Sequence, residues 1–115
     1  MNELNIAWAA GLLEGEGCFS RHIRKSNGVL TYAIHCEMTD EDVIRKIHEV
    51  FNIGTVVKRL NMAGRRDPRK RKQSWIWSVQ NKAGIAMVLS AIKPYMCGRR
   101  SEKINLMLGE LVENS

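Results

Sequence analysis

The chain has 115 residues, 44 % of them hydrophobic and 26 % charged, a balance that suits one compact domain over residues 1–115 and leaves no room for a second core. Its apolar run Ile6 to Leu13 is too short to span a bilayer, and no basic leader precedes it, so neither a membrane segment nor a signal peptide is expected. Cys18, Cys36 and Cys97 are odd in number and far apart, and with the three histidines they form no zinc-ligand spacing. Reduced, partly buried thiols in an intracellular protein are the expectation.

The net charge is +6. Between Lys58 and Lys72, eight basic residues (Lys58, Arg59, Arg65, Arg66, Arg69, Lys70, Arg71, Lys72) stand against one acid, Asp67, so this segment carries +7 and the remainder −1. One concentrated basic element on a near-neutral domain points to a polyanionic partner. A solvated loop kept soluble by its charge, or a nuclear-targeting segment, would have the same local composition.

In chain order, a first helix is expected from Asn5 to about Glu14, ending near Gly15–Gly17. Cys18 to Lys25 then alternates, with Phe19 and Ile23 on one face and Ser20, His22 and Arg24 on the other. Ser26-Asn27-Gly28 is a turn signal. Val29 to Met38 alternates again, Tyr32, Ile34, Cys36 and Met38 against Thr31, Ala33, His35 and Glu37, so the two runs predict a β-hairpin. Thr39 is placed as the cap of a second helix with Asp40, Glu41 and Asp42 in its first turn. That helix carries Val43, Ile44, Ile47, Val50 and Phe51 on one stripe and closes at Asn52.

A strand at about Thr55 to Asn61, the basic loop and a strand at about Ser74 to Gln80 form a second hairpin. Trp75 and Trp77 share a face with Val79 and are read as core. Asn81 caps a helix through about Ile92, stopped by Pro94, and a last helix from near Ser101 buries Ile104, Met107, Leu108 and Leu111. The order αββαββα predicts an α+β fold, a four-stranded antiparallel sheet with helices on one face.

The opposite sheet face would carry Ser20, His22, Arg24, Thr31, His35, Arg59, Asn61, Ser78 and Gln80. Such a face can simply be wet. It also presents the mixed donors and acceptors that suit base edges in a DNA major groove. Strands of about ten residues would span about 33 Å, the length of about ten base pairs. Arg21 falls on the core side of this alternation without an evident partner.

The segment Trp8-Ala-Ala-Gly-Leu-Leu-Glu-Gly-Glu-Gly-Cys-Phe19 stands out. Glycine inside a helix costs roughly 1 kcal/mol relative to alanine, yet Ala7, Gly11 and Gly15 recur at i, i+4 with Ala10 beside them. Small residues on one stripe allow a second backbone to approach closely. Packing against the domain's own sheet would explain the glycines equally well, but not Glu14 and Glu16 at the helix C-terminus, where carboxylates oppose the macrodipole. A cost of that kind is tolerated for function, such as metal binding.

Ala9-Ala10-Gly11-Leu12-Leu13-Glu14-Gly15-Glu16-Gly17 resembles the nine-residue signature of the LAGLIDADG homing endonucleases. It departs at the first leucine (Ala9), at the alanine (Gly15) and at both aspartates, which are glutamates here. The resemblance runs on through Thr39-Asp40, Phe51-Asn52-Ile53-Gly54, the Trp75/Trp77/Val79 strand and Pro94-Tyr95 ahead of a basic pair. It implies that two motif helices, one from each protomer of a homodimer, pack together through Ala7, Ala10, Gly11, Glu14 and Gly15. Glu16 then falls at the metal-binding acid, holding Mg²⁺ (or Mn²⁺ in its place), and Glu14 at the less critical one.

The resemblance further implies that Arg99 or Arg100 stabilises transition-state charge, register not choosing between them, and that Met38, with Glu37 adjacent, takes a place that is polar in the family. Double-stranded DNA would lie on the sheet face and on Arg65, Arg66, Arg69, Lys70, Arg71 and Lys72, with no small-molecule cofactor. The implied activity is a metal-dependent double-strand break at a long, pseudo-palindromic site, as in intron homing, in a bacterial, phage or organellar setting. A catalytically silent relative that binds nucleic acid, as an intron maturase or transcription regulator, would share fold and face. A plain dimeric interaction module is the third reading.

Overall fold

The computed structural model describes residues 2–61 and 72–113. Helix α1 (Glu3–Glu16) runs directly into β1 (Gly17–Ile23), followed by β2 (Leu30–Met38), α2 (Glu41–Phe51), β3 (Thr55–Asn61), β4 (Lys72–Val79), α3 (Lys82–Ile92), a 3-10 turn at Lys93–Tyr95 and α4 (Gly98–Glu113). Among the described residues the four strands form one antiparallel sheet in the order β1-β2-β4-β3. Helices cover one face of it, α1, α2 and α3 against the strands and α4 against α3. This is the expected α+β architecture, with α4 following the αββαββα order.

Alternation set the faces. Phe19, Tyr32, Ile34, Cys36, Trp77 and Val79 are buried toward the helices. Trp77 stacks on Phe51, ring centroids 5.6 Å apart, and its Nε1 donates to the Ile53 carbonyl at 2.9 Å, so its one polar atom is satisfied inside the core. Trp75 packs half-buried on the same cluster, as the core reading expected. Gly54 sits at φ +86°, and a β-carbon there would meet the Ser78 carbonyl oxygen at 2.5 Å. The α2–β3 corner therefore requires glycine on two grounds.

Several ends differ from expectation. Helix α1 starts at Glu3, not Asn5, because the Asn2 side chain accepts from the Leu4 and Asn5 amides at 2.8 and 3.3 Å. Asp40, not Thr39, occupies the cap of α2, and its side chain makes no capping bond. The acids behind it serve the first turn instead, Glu41 pairing with Arg45 at 2.7 Å. Asn52 closes α2 in the left-handed conformation, φ 55°, as expected. Asn81 caps α3, its Oδ1 accepting from the Gly84 amide at 2.6 Å.

Strand β4 begins at Lys72, ahead of Ser74, because it pairs with all of β3 out to Asn61. The longest strand, β2, has nine residues rather than about ten, a span of about 30 Å. Arg21, without a partner in the sequence reading, donates from Nε to both carboxylate oxygens of Glu110 on α4, at 2.7 and 2.9 Å. No helix among the described residues is long and apolar enough to cross a membrane.

Candidate catalytic and DNA-binding site

The end of α1 is built from its glycines. Helix geometry continues through Gly15 and Glu16, and Gly17 turns extended (φ −78°, ψ 149°) to start β1 without an intervening loop. A β-carbon on Gly17 would stand 2.6 Å from the Leu13 carbonyl oxygen, so only glycine allows so abrupt a junction. Glu16 is exposed at this corner, and no basic residue lies in the last turn to offset it. Cys18, one residue into the strand, is the first to point to the outward sheet face, paired across β2 with His35. The acid thus stands at the edge of that face.

Glu14, two residues earlier, is half-buried. Its Oε2 is inaccessible and has no hydrogen-bond partner among the described residues. It lines an open cleft with Cys97, Arg99, Arg100 and Lys103 at the start of α4. That helix begins at Gly98, ahead of the expected Ser101, the Cys97 carbonyl accepting from the Ser101 amide at 3.0 Å. Arg99 and Arg100 consequently belong to its first turn. Arg100 donates from Nη1 to the Gly17 carbonyl at 2.8 Å and lies over the Phe19 ring, 5.4 Å from the centroid. Arg99 is exposed and makes no ion pair or hydrogen bond among the described residues.

The small residues of α1 divide. Ala10 is wholly buried with Ala9 in the protomer's own core, and Ala7 is half-buried. Gly11 and Gly15 are exposed, and a β-carbon on either would meet nothing within 4 Å. Packing against the protomer's own sheet therefore does not account for these two glycines. Leu4, on the same side, is 82 % exposed.

On the outward sheet face, Ser20, His22, Arg24, Thr31 and Gln80 line one polar depression of about 310 Å³. Ser20 Oγ donates to the Ala33 carbonyl at 3.4 Å, and Thr31 Oγ1 to the His22 carbonyl at 3.1 Å. Beside them, His35 Nδ1 and Ser78 Oγ are hydrogen-bonded at 3.0 Å. Arg59 shares this face, as its pairing with Ser74 requires. Asn61 and Lys72 close the β3–β4 ladder, while Arg65, Arg66, Arg69, Lys70 and Arg71 lie outside the described residues. Sequence reasoning did not select Ser74, Ile76 and Val57 on this face. Ser74 and Ile76 lie on the same alternation that chose Ser78 and Gln80.

Among the described residues, no three His, Cys, Asp or Glu side chains of one protomer are grouped to hold a metal. The exposed Glu16 carboxylate is a hard oxygen donor that fits Mg²⁺. One carboxylate does not complete a coordination shell. Cys36, behind this corner, is suited to no such role: burial, then the charge of Glu16, pushes its thiol up to about 11.

A helix that ends in exposed acid at the rim of a polar, four-stranded face defines a class. The sequence profile of the LAGLIDADG endonuclease family matches residues 9–108, and the chain belongs to that family. No curated protein matches it. Among solved structures, the homing endonuclease I-CvuI, in complex with its target, superposes with a TM-score of 0.74 at 18 % identity, over 95 % of this chain and 66 % of that one. The archaeal intron-encoded homing endonuclease I-Vdi141I, complexed with DNA, gives 0.67 at 19 % identity, over 96 % of this chain and 70 % of that one. The LAGLIDADG meganuclease I-AabMI, bound to uncleaved DNA, gives 0.67 at 15 %, over the whole of this chain and 38 % of that one. The chain spans about two thirds of the length of the first two and little more than a third of the last.

Proposed function

We propose that the protein is a site-specific homing endonuclease that makes a double-strand break in a long, pseudo-palindromic DNA site as a homodimer, with Mg²⁺ or Mn²⁺ as cofactor. The observation that carries this reading is the placement of Glu16. The exposed acid of the motif stands where α1 delivers the chain to the polar sheet face. Membership of the endonuclease family supports the same conclusion.

The homodimer rests on α1. The helix is apolar nearly all round, yet the protomer buries only Ala9, Ala10 and Leu13 on one side. The other side keeps Leu4, Gly11 and Gly15 open. A helix of that kind is stable only when a partner covers its second face. Two copies packed through Ala7, Gly11, Glu14 and Gly15, with Ala10 behind them, would bring two Glu16 carboxylates near one axis. A divalent cation held there supplies charge stabilisation at the phosphate under attack.

The chain's own residues take the remaining work. Arg100, committed to the Gly17 carbonyl, acts as a positioning residue for the corner that carries Glu16. Arg99, free of such contacts and beside Lys103 in the cleft, is the cation available to a phosphate. Ser20, His22, Arg24, Thr31, His35, Arg59, Ser78 and Gln80 present donors and acceptors to base edges, and the basic segment to phosphates.

Cleavage of a randomised duplex library by the purified protein, with Mg²⁺ or Mn²⁺, tests the proposal. Ends should be enriched at one roughly twofold-symmetric site. A duplex that is retained but never cut would instead support the silent nucleic-acid binder, and retention without any sequence preference the plain interaction module.

A further inference from the structure

Among the described residues, the outward sheet face carries one carboxylate among its donors, Glu37. Glu37 lies on β2, and register places it beside Ile76 of β4, which in turn pairs with Val57 of β3. The next β3–β4 pair on this face is Arg59 and Ser74. Ser74 donates to Glu37 Oε2, and Arg59 Nη1 stands 3.6 Å from Glu37 Oε1. The Glu37 and Arg59 side chains remain 40 % and 58 % accessible. A pair so exposed contributes little to stability, and a lone acid on a face that meets phosphates is repelled by them. It is accommodated where its oxygens meet donors on a base.

We infer that Glu37 and Arg59 together read a single guanine·cytosine pair in the major groove. The inference rests on the outward face being the DNA-binding surface. Guanine offers two acceptors, N7 and O6, which the guanidinium fork of Arg59 fits. Its cytosine partner offers the N4 amino donor alongside, which Glu37 Oε1, the oxygen that faces Arg59, accepts. An adenine·thymine pair breaks this run, placing a donor where the arginine needs an acceptor. Ser74, itself buried, holds the carboxylate at its other oxygen. Ile76 and the 54 % exposed Val57 form an apolar border that limits competition from water. Ser74 is thus a positioning residue, and the Glu37–Arg59 pair determines specificity.

The test is a binding selection on randomised duplexes with the wild type, Glu37→Gln and Arg59→Lys, scored one base pair at a time. Both substitutions keep size and lie on exposed side chains, and thermal melts confirm that each variant is folded. The wild type should prefer guanine·cytosine at one position of each half-site by roughly 5- to 150-fold. Each variant should reduce that preference at the same position and leave the others in place. Losses spread evenly over all positions, changes at two different base pairs, or no change would overturn the inference while leaving DNA binding intact. A wild type that enriches no sequence would overturn the DNA-binding reading itself, and this inference with it.

Discussion

Arg100 on α4 donates to the backbone carbonyl of Gly17, 2.8 Å away, at the junction where the motif helix becomes a strand. Its guanidinium also covers the Phe19 ring. The carbonyl is thereby satisfied by a charged donor, and α4 is fastened to the corner that carries Glu16. Arg100→Ala should lower stability by about 2 kcal/mol, the sum expected for a charge-assisted hydrogen bond and a partly buried cation–π contact. Arg99→Ala should stay within about 0.5 kcal/mol of the wild type yet abolish cleavage. Urea titrations of the two variants, paired with cleavage rates, separate the roles.

Two glycines of the motif should respond in opposite ways to alanine. At Gly17 the new β-carbon would meet the Leu13 carbonyl oxygen at 2.6 Å, and a loss of about 1–3 kcal/mol is expected. At Gly15 nothing within the protomer is in the way, and helix propensity alone should add up to about 1 kcal/mol. The cost of Gly15→Ala should appear in association instead. Sedimentation equilibrium is expected to show a better-folded protein with weaker dimerisation. Unchanged dimerisation would remove Gly15 from the interface.

The Arg21–Glu110 pair makes a pH prediction. The Arg21 hydrogen bond holds the Glu110 carboxyl below its ordinary value of 4.5, against an opposing effect of burial. A carboxyl depressed in the folded state stabilises above its unfolded pKa, and that contribution is lost as pH falls through the folded value. Glu110→Gln should therefore melt below the wild type at neutral pH, and the gap should close as the pH falls below 4.5 and through the depressed folded value. Melting temperatures across that range decide it. A gap that stays constant would show that the pair does not act through charge.

Much of the fold was legible because the alternation of Tyr32, Ile34 and Cys36 against Thr31, Ala33 and His35 fixes the faces of β2, and a sheet so patterned has one register that buries its apolar side. What escaped depends on contacts between distant segments. Arg21 reads as a misplaced charge until α4 brings Glu110 to it, 89 residues away. The sequence puts the start of α4 near Ser101, whereas the helix begins at Gly98 and its Arg100 reaches the Gly17 carbonyl, a contact 83 residues apart. Glu16 could be selected from the motif alone. The choice between Arg99 and Arg100 could not, since only the fold shows which of the two is already engaged. Ser74 shares its alternation with Ser78, and only the β2–β4 pairing brings its hydroxyl to Glu37.

The three thiols should differ in reactivity. Cys18 and Cys97 are exposed and Cys36 is buried, with its thiol pushed up to about 11. Iodoacetamide at neutral pH should modify the first two in the native protein and reach Cys36 only in denaturant, as read by mass spectrometry. Rapid native labelling of Cys36 would mean that the sheet–helix core opens readily.

The central claim is that Glu16 is needed to cut DNA and not to hold it. The most direct measurement titrates wild type and Glu16→Gln against one selected duplex, following retention and strand cleavage in the same samples with Mg²⁺. Glu16→Gln should retain the duplex as the wild type does and cut it more than about a hundred-fold more slowly. A variant that cuts at the wild-type rate, or that loses retention together with cleavage, would contradict the account.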